Sequence, residues 1–262
     1  MSLAATTVGG KAHRLAAGFP GDAACLVLVP ALAAWALLAV TARINPGADI
    51  CLAFRPLVSG RVASAMEAAL GSLSFTALAS PALVMTAAMA LPLAWRPAAQ
   101  VSARSFNQTA GALAALFVLA FSSVWAALLV LMMPLAMVLR AGLLELVTGP
   151  LLAFACILAT AAHRASGEAR QALARCHYMM PVRAFAPDCY ADATEFGARS
   201  ALSCARVCWP GMMLPLVSSR PLLTMAIVTI LAIADRSAFR APTQKAVGAL
   251  LVLSLTELIA PA

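Results

Sequence analysis

The chain of 262 residues is 63% hydrophobic and only 11% charged, with a mean hydropathy of +0.93. Soluble domains carry roughly 25% charged residues, so this composition excludes an ordinary water-soluble protein and predicts an integral membrane protein. The net charge of +8 lies mostly between the apolar runs, where basic residues set orientation, and no feature indicates nucleic-acid binding. The seven scattered cysteines, an odd number, do not form a secreted disulfide framework.

Seven apolar segments approach the ~20 residues that a helix needs to cross a bilayer. They lie at about 23–42, 73–95, 112–139, 143–163, 201–219, 221–235 and 246–261. We therefore expect an all-α, polytopic transmembrane helix bundle of about seven spans, in which 1–22 is a cytoplasmic segment and 23–262 is one domain. Six spans are the alternative, because Arg220 and Pro221 could turn the short sixth segment and the fifth into a hairpin.

Two long connections carry further signals. The 43–72 connection combines turn residues with an apolar patch, which favours a short interfacial helix. In the 164–200 connection, "GEARQALARC" predicts an amphipathic helix that ends before Pro181. The arginines of this connection are expected at lipid headgroups, which attract basic residues. They are Arg170, Arg175 and Arg183.

Basic residues are distributed unequally between the two sides of the predicted bundle. Twelve Lys and Arg residues fall on the side of the N-terminus and five on the opposite side. Cytoplasmic connections carry the excess of basic residues, so we expect a cytoplasmic N-terminus and an external C-terminus. Arg206 lies within the fifth segment and is expected to reach the interface or to pair with Asp235.

The stretch "SCARVCWPGMM" is unusual for a membrane helix. Cys204 and Cys208 are four residues apart and therefore share a helix face, which Met212 continues one turn later. Thiolate and thioether ligands suit soft ions, chiefly Cu(I), and thiolates also suit zinc. Packing is the competing interpretation, because cysteine and methionine are common apolar fillers.

Two other sulfur groups are predicted at the same end of the bundle. Met85 and Met89 share a helix face just before Pro92, and Cys176 lies in the cytoplasmic connection beside His177. The predicted orientation brings these groups to the cytoplasmic face, together with Cys204. Taken alone, such methionine pairs more often serve packing, and such loop residues more often lie in solvent. The predicted convergence of these groups on one face favours a soft-metal site.

No catalytic constellation is present. The chain has no nucleophile elbow, phosphate-binding loop, zinc-protease motif or paired intramembrane carboxylates, and we expect a protein that is not an enzyme.

Three stretches resemble a bacterial family of predicted metal-binding integral membrane proteins, some of which are labelled copper chaperones. "GARSALSCARVCWPGMM" is similar to a signature with a glycine, a basic residue, C-x-x-C-C-W and a methionine. The matching positions are Gly197, Arg199, Cys204, Cys208, Trp209 and Met212. "VMTAAMALPLA" resembles the family's A-M-M-x-P segment, and "MAIVTILAIADR" resembles its closing stretch, with Asp235 and Arg236 in the acidic and basic places.

The resemblance implies a multi-pass protein of the bacterial inner membrane that binds or handles copper. The implied ligands are Cys204, Cys208, Met85, Met89, Met212 and Cys176. The sequence also departs from the family, since Val207 and Ala90 stand where the family has a cysteine and a methionine. The alternative is therefore a non-catalytic accessory or assembly subunit of a larger membrane complex, which has lost the metal site and packs against partner helices.

Overall fold

The computed structural model describes residues 21–44, 75–105, 109–144, 149–178, 180, 183, 188–218, 220–237 and 248. Every regular element in these ranges is helical, which confirms the all-α fold class. The predicted interfacial helix at 43–72 and the predicted span at 246–261 lie almost wholly outside the described residues.

Eight α-helices and one π-helical turn make up the described part of the chain. The helices are α1 (Gly21–Ile44), α2 (Phe75–Met85), α3 (Leu91–Arg104), α4 (Ala110–Leu144), α5 (Gly149–Ala165), α6 (Gly167–Cys176), α7 (Asp188–Val217) and α8 (Pro221–Ser237). The π-helical turn, Thr86–Ala90, joins α2 directly to α3.

Three stretches of described helix are long and apolar enough to cross a membrane. They are Ala24–Arg43, Ala79–Arg104 and Ala110–Ala136, and they fall on the first three predicted spans. Helix α5 covers the fourth, although its apolar stretch, Leu151–Ala165, is shorter. Helix α8 coincides with the sixth, and the Ser218 hydroxyl accepts from the Arg220 N–H at 3.0 Å in the turn before it.

The 164–200 connection is largely helical. Its predicted amphipathic helix is confirmed as α6, where the Ser166 side chain caps the start by accepting from the Ala169 N–H at 3.1 Å. The predicted span at 201–219 corresponds to the second half of α7, which begins much earlier, at Asp188. The first half of α7 carries acidic and basic residues, so its hydropathy did not predict a helix there.

Arg183 fixes the beginning of α7. Its Nε and Nη2 donate to the Asp192 carboxylate at 2.9 Å each, and its Nη1 donates to Asp188 at 2.8 Å. The Arg183 side chain is still 61% exposed, so its contact with lipid headgroups stays a prediction. Arg170 and Arg175 are exposed on α6.

Helices α4 and α7 form the centre of the bundle. Helix α7 packs along α4 and also contacts α5, α6 and α8, whereas α3 packs on α1 and α4. The rings of Phe117 and Phe196 lie 5.1 Å apart across the α4–α7 contact. A Cβ placed on Gly197 would lie 2.5 Å from the Phe117 carbonyl oxygen, so the two backbones approach closely only because this residue is glycine.

The π-helical turn has a specific partner on α1. Pro92 has no N–H, so the carbonyl of Ala88, four residues earlier, loses its usual helical donor. The indole N–H of Trp35 donates to that carbonyl at 2.9 Å. This hydrogen bond connects α1 to the continuous helix that α2, the π-helical turn and α3 form.

Candidate metal centre

Three buried thiols come together from two helices. Cys204 and Cys208 lie one turn apart on α7, and they are 3% and 5% exposed. Cys176 is the last residue of α6, which packs against α7, and its side chain is 6% exposed. The Ser166 cap starts α6 so that its last turn ends beside the middle of α7.

The thiols form two neighbouring pairs that share Cys204. The Cys176 and Cys204 side chains are in hydrogen-bonding contact, and so are those of Cys204 and Cys208. All three are free cysteines. Cysteines that merely fill space do not need to meet, so this contact is more specific than the four-residue spacing from which the site was predicted.

Two buried arginines lie beside these thiols. Arg164, from the end of α5, forms an ion pair with Asp235 of α8 and lies near Cys204 and Cys208. Arg236 lies near all three thiols, and its Nη2 donates to the Ser200 hydroxyl at 2.8 Å. The Arg236 guanidinium also lies over the Phe121 ring, 5.9 Å from its centroid.

Cys176 and the next residue, His177, lie at the end of α6. The hydrogen bond with Cys204, and after it burial, raise the pKa of the Cys176 thiol well above its ordinary value. Burial, with Arg236 and Arg96 nearby, lowers the pKa of His177. The Cys176 group is therefore a neutral thiol before a metal arrives, and metal binding must displace its proton.

The donor set suits an ion of low coordination number. Among the described residues, no three His, Cys, Asp or Glu side chains are grouped so that they could hold one metal ion. A tetrahedral zinc site needs four ligands, which the thiol pairs do not supply. Cu(I) is soft and forms stable complexes with as few as two thiolates, so either pair fits it.

The predicted methionine ligands belong to the same buried core as the thiols. Met85 and Met89 are buried, and the π-helical turn that holds Met89 packs on α1, α4 and α8. Helix α8 thus contacts both the methionine segment and α7. Met212 is 1% exposed and lies one turn beyond Cys208 on α7. The part of these thioethers in metal binding stays a prediction.

Pro210 repeats the arrangement seen at Pro92. It leaves the Arg206 carbonyl without its helical donor, and the His163 Nε2 lies 2.9 Å from that oxygen. The His163 ring also meets Trp209 edge-on, with centroids 5.9 Å apart. The Arg206 side chain is exposed, and Asp235 pairs with Arg164 instead, so the expected Arg206–Asp235 pair does not form.

Sequence reasoning did not select Arg164, Ser200 or Arg236 as parts of the site. The signal for two of them was present, because an ionisable residue inside or at the end of an apolar helix marks a functional position by default. In the sequence, Arg164 contributes only to the count of basic residues that predicts orientation, and nothing marks Ser200 as part of a metal site.

A family model described as "PpoB2: Copper chaperone" matches residues 82–257, about two thirds of the chain. Neither a curated protein nor a solved structure matches the sequence significantly. The matched segment includes the three thiols, both buried arginines and Asp235.

Proposed function

The chain belongs to the PpoB2 copper-chaperone family, and on that premise we propose that it is a non-enzymatic membrane protein that carries Cu(I) as cargo on buried thiolates. Cys204 and Cys208 are the principal ligands, and Cys176 is the third sulfur. The membrane in question is the bacterial inner membrane, with the thiol cluster near its cytoplasmic face.

The observation that carries this proposal is the contact of three buried thiols from α6 and α7. Thiolates hold soft ions, and burial keeps both water and competing hard ligands away from them. Because Cys204 belongs to both thiol pairs, the ion can pass from one pair to the other while it stays bound to Cys204. Such stepwise exchange of sulfur ligands is what a carrier needs to release its cargo.

Cys176 is suited to be the entry or exit ligand. It lies at the end of a short helix, next to residues of the connection, whereas Cys204 and Cys208 lie within the long helix α7. A partner thiol that approaches from the connection would reach Cys176 first.

The second candidate is an accessory subunit that packs in a larger membrane complex. It is favoured by the buried Val207 and Ala90, which fill with apolar side chains two places where the family has sulfur ligands. In that case the three thiols are remnants of a metal site, and copper would not be found on the native protein.

Copper analysis of the purified full chain separates these functions. The protein is loaded with Cu(I) under anaerobic, reducing conditions and then passed through a desalting column. We expect copper near equimolar with the native chain and background copper with the Cys204→Ala/Cys208→Ala double variant. Cys189→Ser is the matched control, since Cys189 is also buried on α7 but lies outside the cluster.

Thermal unfolding of each variant in detergent checks that the fold is intact. Copper that stays bound to a folded double variant would reject these two ligands. A native chain without copper that co-purifies tightly with other membrane proteins would instead support the accessory-subunit function.

A further inference from the structure

Arg236 is the most unusual charged residue beside the thiols. The residue is 9% exposed, although it lies in the last turn of α8. Its Nη2 donates to Ser200 and its guanidinium lies over Phe121, while its Nη1 has no hydrogen-bond partner within the described residues. A buried cation with an unsatisfied donor is costly unless an anion compensates it.

The carboxylate of the adjacent residue does not provide this compensation. Asp235 is bound to Arg164, and that pair is neutral as a unit. With the thiols protonated, the cluster therefore holds one buried positive charge in excess, on Arg236. This excess charge lies close to Cys176, Cys204 and Cys208.

We propose that Arg236 is the counter-charge of a Cu(I) ion held by two thiolates, and that it makes the site select a monovalent soft ion over divalent ones. The inference rests on the proposed function. One Cu(I) on two thiolates carries a single negative charge, which Arg236 neutralises. A divalent ion on the same pair is already neutral and leaves the buried guanidinium uncompensated.

A purely structural role makes a different prediction. Arg236 also connects α8 to α7 through Ser200 and to α4 through Phe121. If that connection were its whole contribution, its loss would loosen the thiol geometry for every metal alike. The ratio of the affinities for a monovalent and a divalent soft ion therefore distinguishes a counter-charge from a structural connection better than either affinity alone.

The test measures Cu(I) and Cd(II) affinities of the full chain in detergent, each by competition with a chromophoric chelator. Arg236→Met should lower the Cu(I) affinity by about tenfold or more, because a close charge interaction in a partly desolvated site is lost. The Cd(II) affinity should hold or rise. Arg236→Lys, which keeps the charge, should retain the native preference, and Arg170→Met, an exposed arginine on α6, should change neither affinity.

Asp235→Asn provides a second measurement with the opposite sign. It frees the charge of Arg164, so the preference for Cu(I) over Cd(II) should increase. Equal losses for both metals in Arg236→Met, or an unchanged ratio, would overturn the inference while the copper function stands. A native chain that binds neither metal would overturn the proposed function itself, and the inference with it.

Discussion

Asp192 determines how α7 begins. Its carboxylate accepts from the Arg183 backbone N–H at 3.0 Å and from the same residue's guanidinium through both oxygens. These hydrogen bonds lower the pKa of Asp192 to about 2. The interaction lies outside the predicted spans, so water and protons can reach it, and it is sensitive to pH.

The pH dependence of this contact has a defined direction. Because the folded pKa of Asp192 lies below its ordinary value, its stabilising effect is complete above pH 4 and disappears as the pH falls toward 2. We expect Asp192→Asn to lower the thermal unfolding midpoint at pH 7 and to leave it close to the native value near pH 2. Glu195→Gln is the control, because the exposed Glu195–Arg199 pair contributes little at either pH. A constant difference between native and Asp192→Asn proteins across this range would contradict the assignment.

At the scale of the elements, the contact between α4 and α7 organises the bundle. Phe117 packs on Phe196, and the next residue, Gly197, lies against the Phe117 carbonyl. Close approach of two backbones is how helices pack in a membrane, where apolar side chains gain nothing by leaving lipid. Because Cys204 and Cys208 lie two and three turns further along α7, this contact also positions the thiols.

Gly197→Ala tests that contact. The added methyl group would clash with backbone atoms of α4, which cannot move away as a flexible side chain could. We therefore expect the free energy of unfolding to fall by ~1–3 kcal/mol. Gly111→Ala is the matched control, because a Cβ at Gly111 meets nothing within 4 Å and alanine is the better helix former. Equilibrium unfolding of both variants in detergent measures the difference. Equal stability of the two would show that the helices separate at this point without cost.

The elements were predictable to different degrees. Hydropathy located α1, α2 and α4 because these helices are apolar on every side. It placed the end of the second span at residue 95, whereas α3 continues to Arg104 with polar residues along one side. The first half of α7 was missed because its stability comes from packing and from the Arg183 contact rather than from apolar residues.

At the site, the spacing predicted the shared face of Cys204 and Cys208. It could not show which helix the Met85–Met89 segment packs on, since helix neighbours are decided by the tertiary fold. The burial of Arg236 was unpredictable for the same reason, because Ser200 and Phe121 come from two other helices.

On the scale of the whole molecule, the thiol cluster lies toward one end of the helices. Arg164 ends α5, Cys176 ends α6, and Asp235 and Arg236 lie in the last turn of α8. The second half of α7 runs from the cluster toward the turn at Arg220. If the bundle spans a membrane, the cluster therefore lies nearer to one side of it, and the distribution of basic residues predicts that this side is the cytoplasm.

Labelling of single cysteines tests this orientation. We expect a membrane-impermeant maleimide to label Arg220→Cys in intact spheroplasts, and to label Arg170→Cys only after permeabilisation. Both positions are exposed. Native Cys25, which is exposed, and Cys51, which belongs to the predicted external connection, are replaced by serine to remove background. Labelling of Arg170→Cys alone would place the cluster on the outer face, so that the protein would take up external copper. Labelling of both positions from one side would mean that α7 and α8 enter the bilayer and leave it on the same side, as a re-entrant pair. The bundle would then have fewer spans than the predicted seven.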